Sequence, residues 1–224
     1  MTTTSSALAS SRDADNPRYD SLQRDASNQL GGFDIKYGFA VGADNFLTLY
    51  GQMIGEDSWK TIPVPNKYSA MAGASLDGPW GADGASWRVI AEYSDTVAFL
   101  APGRQYNVTY NHFRYRSGYR YHGVSMADRW DGDSKTLYLS GLLTDRDGWG
   151  YRLGYQHARV NLDDAGPSGV SLSYEKINLL ETGVTIPASF GTLGLNLWLQ
   201  DDSPDTPGRK DSLAGAEVSW KARF

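Results

Sequence analysis

Along the last thirteen residues, SLAGAEVSWKARF, apolar and polar positions alternate: Ala214, Ala216, Val218, Trp220, Ala222 and Phe224 interleave with Gly215, Glu217, Ser219, Lys221 and Arg223. A period of two is that of a β-strand whose faces meet different surroundings. The same alternation recurs from residue 32. Phe33, Ile35, Tyr37, Phe39 and Val41 define a first strand over 32–41, and Leu47, Leu49 and Met53 a second. Residues 55–66, GEDSWKTIPVPN, carry two prolines and read as a connection, because proline cannot donate to a central ladder. Residues 67–76 form a third strand with Tyr68, Ala70, Ala72, Ala74 and Leu76 on one face. The fourth, 86–97, sets Trp87, Val89, Ala91 and Tyr93 against Arg88, Glu92 and Ser94.

Beyond the Pro102-Gly103 turn, Tyr106, Val108 and Tyr110 predict a fifth strand over 104–115, followed by a long loop. Strands six and seven, 135–144 and 149–159, flank an Asp147-Gly148 hairpin signal. Strand eight falls within 174–186, and strand nine carries Leu193, Leu195, Leu197 and Leu199 outward. With 212–224 the pattern predicts ten antiparallel strands.

Strands of this kind, apolar on one face and polar on the other, are those of an all-β, antiparallel up-and-down outer-membrane β-barrel. Counting back from a last strand that ends in the periplasm puts the connections after strands one, three, five, seven and nine outside. Those after four, six and eight are tight inner turns, and residues 55–66 are the exception, too long for an inner turn. The competing fold is a water-soluble β-sandwich. Its core would have to bury mid-strand charges at Arg88, Glu92, Arg152, Glu181, Glu217 and Lys221, a heavy cost that a wet lumen avoids.

Composition changes little. A mean hydropathy of −0.47 with no apolar run approaching eighteen residues excludes a transmembrane helix but not a barrel, in which half of each strand faces water. Seven Trp, fourteen Tyr and seven Phe suit aromatic girdles. With no Cys there is no disulfide or thiolate metal site, and a net charge of −5 argues against a nucleic-acid partner. Residues 1–30 lack sustained periodicity and a secretory signal, and read as a flexible linker or truncated end ahead of a barrel segment over 31–224.

The stretches LYGQMIGEDSWKTIPVPNKY (49–68), YNHFRYRSGYRYHGVSMADRWDGDS (110–134) and LLETGVTIPASFGTLGLNLWLQ (179–200) resemble the Wzi-like capsule assembly proteins. The resemblance implies a monomeric lectin barrel of the Gram-negative outer membrane that holds capsular polysaccharide at the cell surface. It also implies a chain about twice as long, with about eighteen strands, of which this sequence resembles the C-terminal half.

The strongest candidate site is the loop before strand six. Tyr115, Arg116, Tyr119, Arg120, Tyr121, His122, Arg129 and Trp130 combine aromatic faces, on which sugars stack, with guanidinium forks that grip carboxylates. The same residues would equally serve as an outer aromatic girdle, with the arginines pairing lipopolysaccharide phosphates or Asp128 and Asp131. Asp128, Asp131 and Asp133 do not match an EF-hand and read as a turn, so no metal and no cofactor is expected. His112 with Ser117 and His122 with Ser125 lack an orienting acid, so no catalysis is expected of a rim hydrolase acting on lipid or lipopolysaccharide. The charges Arg88, Glu92, Arg152, Glu217 and Lys221 point to the lumen, where they would also suit a passive porin.

Overall fold

The structure, a computed structural model, describes residues 30–58, 65–100, 103–111, 118–166, 168–206 and 212–222. The N-terminal linker expected over most of 1–30 lies outside these residues. Nine long strands build one sheet: β1 (Leu30–Val41), β2 (Asn45–Ser58), β3 (Pro65–Trp80), β4 (Ala85–Leu100), β7 (Lys135–Thr144), β8 (Gly150–Val160), β9 (Glu175–Ala188), β10 (Gly191–Gln200) and β11 (Ala214–Ala222). Two short strands, β5 (Arg120–Tyr121) and β6 (Val124–Ser125), form a separate hairpin in the loop between β4 and β7. Every neighbour in the nine-stranded sheet is antiparallel and follows in chain order.

The faces divide as the alternation predicts. Register places Ile35 beside Gly51, Leu137 beside His157, Leu153 beside Thr182 and Leu195 beside Val218, all on one side of the sheet. On that side Ile35 is 57% exposed, Leu153 58% and Val218 77%, so the band is open across the whole sheet. An apolar surface this broad is a lipid-facing surface. Phe39, Trp80, Trp149, Tyr151, Phe190 and Trp220 gather toward one rim, where Phe190 meets Trp220 edge to face at 6.3 Å. Amphipathic rings at that level anchor a barrel at the membrane interface.

The inner face is polar. Arg88 pairs with Asp77 at 3.5 Å, the Tyr50 hydroxyl donates to Glu92 at 2.9 Å, and Arg152 donates to Asn196 at 3.3 Å. Glu217 stands opposite Asn196, and Lys221 opposite Thr192, on the same face.

The fifth predicted strand, 104–115, does not form over its described residues 104–111; 112–115 lie outside the described residues. Tyr106, Val108 and Tyr110 do alternate, but the backbone enters the left-handed region at Asn107 (φ 55°) and again at Tyr110 (φ 65°), which breaks any pleat. β4 pairs directly with β7 instead, and residues 101–134 are one long connection. Removing one strand inverts the parity of everything before it. Residues 59–64 then fall at the same end as 101–134, 161–174 and 201–213, while 42–44, 81–84, 145–149 and 189–190 are tight turns at the other end. The connection expected over 55–66 is shorter than predicted, because Gly55 to Ser58 continue β2 and Pro65 and Asn66 open β3 with Ser58 facing Pro65; at this end of the sheet it ceases to be an exception, and the turns after β1 and β3 move to the short end.

Both edge strands, β1 and β11, run from the long-loop end to the short-turn end. Pairing them with each other would make a parallel contact in an otherwise antiparallel sheet, which barrels of this type do not use. The sheet is open, and it is part of a larger barrel.

Candidate functional site

The described residues of the connection between β4 and β7, 103–111 and 118–134, turn inward and lie along the polar wall at the long-loop end. Its first anchor is Tyr110, whose left-handed backbone is held from three sides. The N–H donates to Glu56 Oε1 of β2 at 2.9 Å, and the carbonyl accepts from Tyr119 N–H at 2.8 Å and from Arg120 Nη1 at 3.3 Å. Gly118 follows at φ 57°, and a Cβ there would overlap the Tyr110 carbonyl oxygen, so the site requires glycine. The Tyr110 and Tyr119 rings stack at 6.1 Å. Burial pushes the Tyr110 phenol above its ordinary range, and the nearby Asp128 charge adds to the shift.

The second anchor is a buried fork. Arg120 Nε meets Asp131 Oδ2 at 2.5 Å and Nη2 meets Oδ1 at 2.9 Å, with Arg120 Nη1 also on Asn111 Oδ1 at 2.9 Å. The paired side chains are 12% and 2% exposed. Gly169 of the 161–174 connection packs directly on this pair, so close that a Cβ would collide with Asp131 Oδ2. The backbone there is tied to β4, because Thr96 Oγ1 donates to Asp131 O and accepts from Ser134 N–H, each at 2.8 Å.

The third anchor runs across the wall. Asp128 accepts from Ser94 Oγ of β4 at 3.0 Å and from Trp130 N–H at 2.8 Å. Burial raises its carboxyl above the usual carboxylate range, with the charges of Asp131 and Glu92 adding to it. Arg129 reaches Glu181 on the inner face of β9 at 3.1 Å, and Trp130 seats in a core of Ala158, Val160, Ile177 and Leu179. Asp133 accepts from Asn107 N–H at 2.7 Å, while Asn107 Nδ2 donates to Asp163 at 2.6 Å, linking the two connections again. Desolvation pushes the Asp133 carboxyl up to about 6, and the neighbouring Asp163 charge contributes.

The eight sequence-predicted residues are thus distributed rather than convergent. Tyr115 and Arg116 lie outside the described residues. Tyr119 is half-buried against Tyr110, Arg120 is engaged by Asp131, and Trp130 is 4% exposed beneath the strap. Tyr121 is 69% exposed at the tip of the β5–β6 hairpin and touches the His122 ring edge-on at 4.2 Å. Arg129 is half-exposed, its guanidinium 5.4 Å from the Trp130 ring centre. Of the eight, those open to solvent are therefore Tyr121, His122 and Arg129; Val124 and Met126 of the same connection, and Tyr106 and Tyr174, are exposed as well.

The three aspartates read as a turn serve separate partners: Asp128 holds Ser94, Asp131 holds Arg120, and Asp133 holds Asn107. Among the described residues no group of three or more His, Cys, Asp or Glu gathers to hold a metal. Of the Ser–His pairs, His112 and Ser117 lie outside the described residues, while Ser125 Oγ accepts the Ala127 N–H and His122 packs on Tyr121.

The family described as capsule assembly protein Wzi matches residues 2–202. The chain belongs to the Wzi capsule assembly family. A solved structure from Escherichia coli, Wzi, described as an outer membrane protein involved in group 1 capsule assembly and as a carbohydrate-binding β-barrel, is similar at a TM-score of 0.68 and 22% identity. The alignment covers 91% of this chain and 44% of that one, so the chain spans less than half the length of that Wzi structure. Among curated proteins none matches. The open nine-stranded antiparallel sheet has the fold of part of a Wzi-type outer-membrane β-barrel.

Proposed function

We propose that this chain forms the loop-bearing part of a barrel that binds capsular polysaccharide at its long-loop end and attaches it to the cell surface, without catalysis. The observation that carries the reading is the fixed strap. The connection between β4 and β7 is braced internally by Arg120–Asp131, tied to the 161–174 connection by Asn107–Asp163 and tied to β2 by Tyr110–Glu56, which holds Tyr121, His122 and Arg129 on a rigid mount at the open end. A surface held in place before binding loses little ordering entropy when a sugar chain docks. Exposed rings offer stacking for sugar C–H faces, and Arg129 offers a charge-assisted fork.

The orientation follows from the same asymmetry, with long connections toward the medium and short turns toward the periplasm. The apolar band is the contact with lipid, and the rim toward the medium lies among lipopolysaccharide. The barrel acts as a monomer. A wide passive channel fits less well, because the strap from Tyr110 to Trp130 occupies the inner wall at the mouth.

Retention of capsule on cells carrying substitutions at the exposed tip tests the reading. Loss of surface capsule with the barrel still folded supports it; normal retention contradicts it.

A further inference from the structure

Behind the strap, the inner faces of β2, β3 and β4 and residues 110 and 127–128 of the connection line a half-open cavity of about 270 Å³. Its walls include Gln52, Met71, Glu92, Ser94, Tyr110 and Asp128. Of these, Glu92 accepts the Tyr50 hydroxyl and Asp128 accepts the Ser94 hydroxyl and the Trp130 N–H. A carboxylate has about four acceptor sites, so both keep acceptor capacity toward the cavity. Among the described residues that line it there is no Lys, Arg or His.

We infer that this cavity is a binding subsite for one uncharged sugar ring, and that it discriminates against acidic sugars. The inference rests on the reading of the chain as a polysaccharide binder and adds the charge class of one sugar unit. The volume lies near the lower bound of small-molecule sites, ~300 Å³, which is room for a ring and not for an extended chain. Two carboxylates and an amide accept and donate to ring hydroxyls, while Met71, Ile54 and the Tyr110 ring supply the apolar face that a sugar presents its C–H groups to. A uronate placed there would set its carboxylate against Glu92 and Asp128 with no cation to balance it. Repulsion of this kind is how a site rejects a near-isostere. The half-exposed Arg129, which pairs with Glu181, carries the opposite charge, so the two surfaces would read different units of a mixed polymer.

The test is binding of D-galactose and D-galacturonate to the detergent-solubilised protein by saturation-transfer NMR, with isolated capsular polysaccharide measured in parallel. The expected result is binding of galactose, with galacturonate at least about tenfold weaker, a difference of ~1.4 kcal/mol. Met71→Trp should fill the cavity and abolish galactose binding. Glu92→Gln, which keeps an acceptor for Tyr50, should narrow the gap by raising galacturonate binding. The second variant keeps the test decisive if the first does not fold. Galacturonate binding as well as galactose, or failure of galactose to bind while polysaccharide still binds, overturns the inference and leaves the surface reading standing. Galactose bound in the cavity with no polysaccharide bound overturns the surface reading instead.

Discussion

Arg120 and Asp131 form a two-bond fork, 2.5 and 2.9 Å, inside a connection that sequence patterning marks only as a loop. The pair is nearly dry, so removing one partner leaves an uncompensated buried charge, at a cost of about 3–5 kcal/mol. Arg120→Ala should therefore free the strap while the nine-stranded sheet survives. Limited proteolysis should cut within residues 118–134 of the variant, with the barrel core resisting. Arg120→Lys should not restore protection, because an ammonium cannot reproduce the fork.

Trp130 fixes the far end of the same strap. Trp130→Ala removes the ring from the Ala158, Val160, Ile177 and Leu179 core and should cost about 3–5 kcal/mol of local stability. Hydrogen exchange should accelerate at Trp130 and Asp131 and remain slow in β8 and β9.

Gly118→Ala tests the left-handed corner. The new methyl group would overlap the Tyr110 carbonyl at a backbone angle that L-residues disfavour. The expected outcome is loss of the Tyr110–Tyr119 stacking, read as increased accessibility of both tyrosines to chemical modification.

Asp133 gives the strap a pH dependence of defined sign. Its carboxyl titrates near 6 in the folded protein, above its ordinary 3.8, because burial disfavours the charge. An acid whose folded value is raised opposes folding when ionised. The opposition is fully present above about pH 6 and is relieved as pH falls from 6 toward 3.8. Strap protection should rise between pH 7.5 and 5, and Asp133→Asn should raise it at pH 7.5 while flattening that change. Hydrogen exchange across this range checks both.

The membrane-facing half of the fold was legible because lipid imposes period two on every strand. Trp87, Val89, Ala91 and Tyr93 lie on the side opposite Arg88, Glu92 and Ser94, as the pattern requires. The fifth strand was illegible for a different reason. Tyr106, Val108 and Tyr110 carry the same alternation, but the bonds that bend their backbone come from Glu56 and Asp133, tens of residues away. The site was legible in composition only. Arginines and aromatics mark residues 115–130, yet whether a ring faces sugar or core depends on partners in β8 and β9, and Trp130 found the core.

The central claim is that the exposed tip of a rigid strap holds capsule. Its most direct test is surface capsule measured on cells expressing the protein with Tyr121→Ala, His122→Ala and Arg129→Ala combined, the folded barrel being verified by its heat-dependent mobility in gels. The account predicts capsule released into the medium from cells whose barrel remains folded. Normal surface capsule on those cells would contradict it.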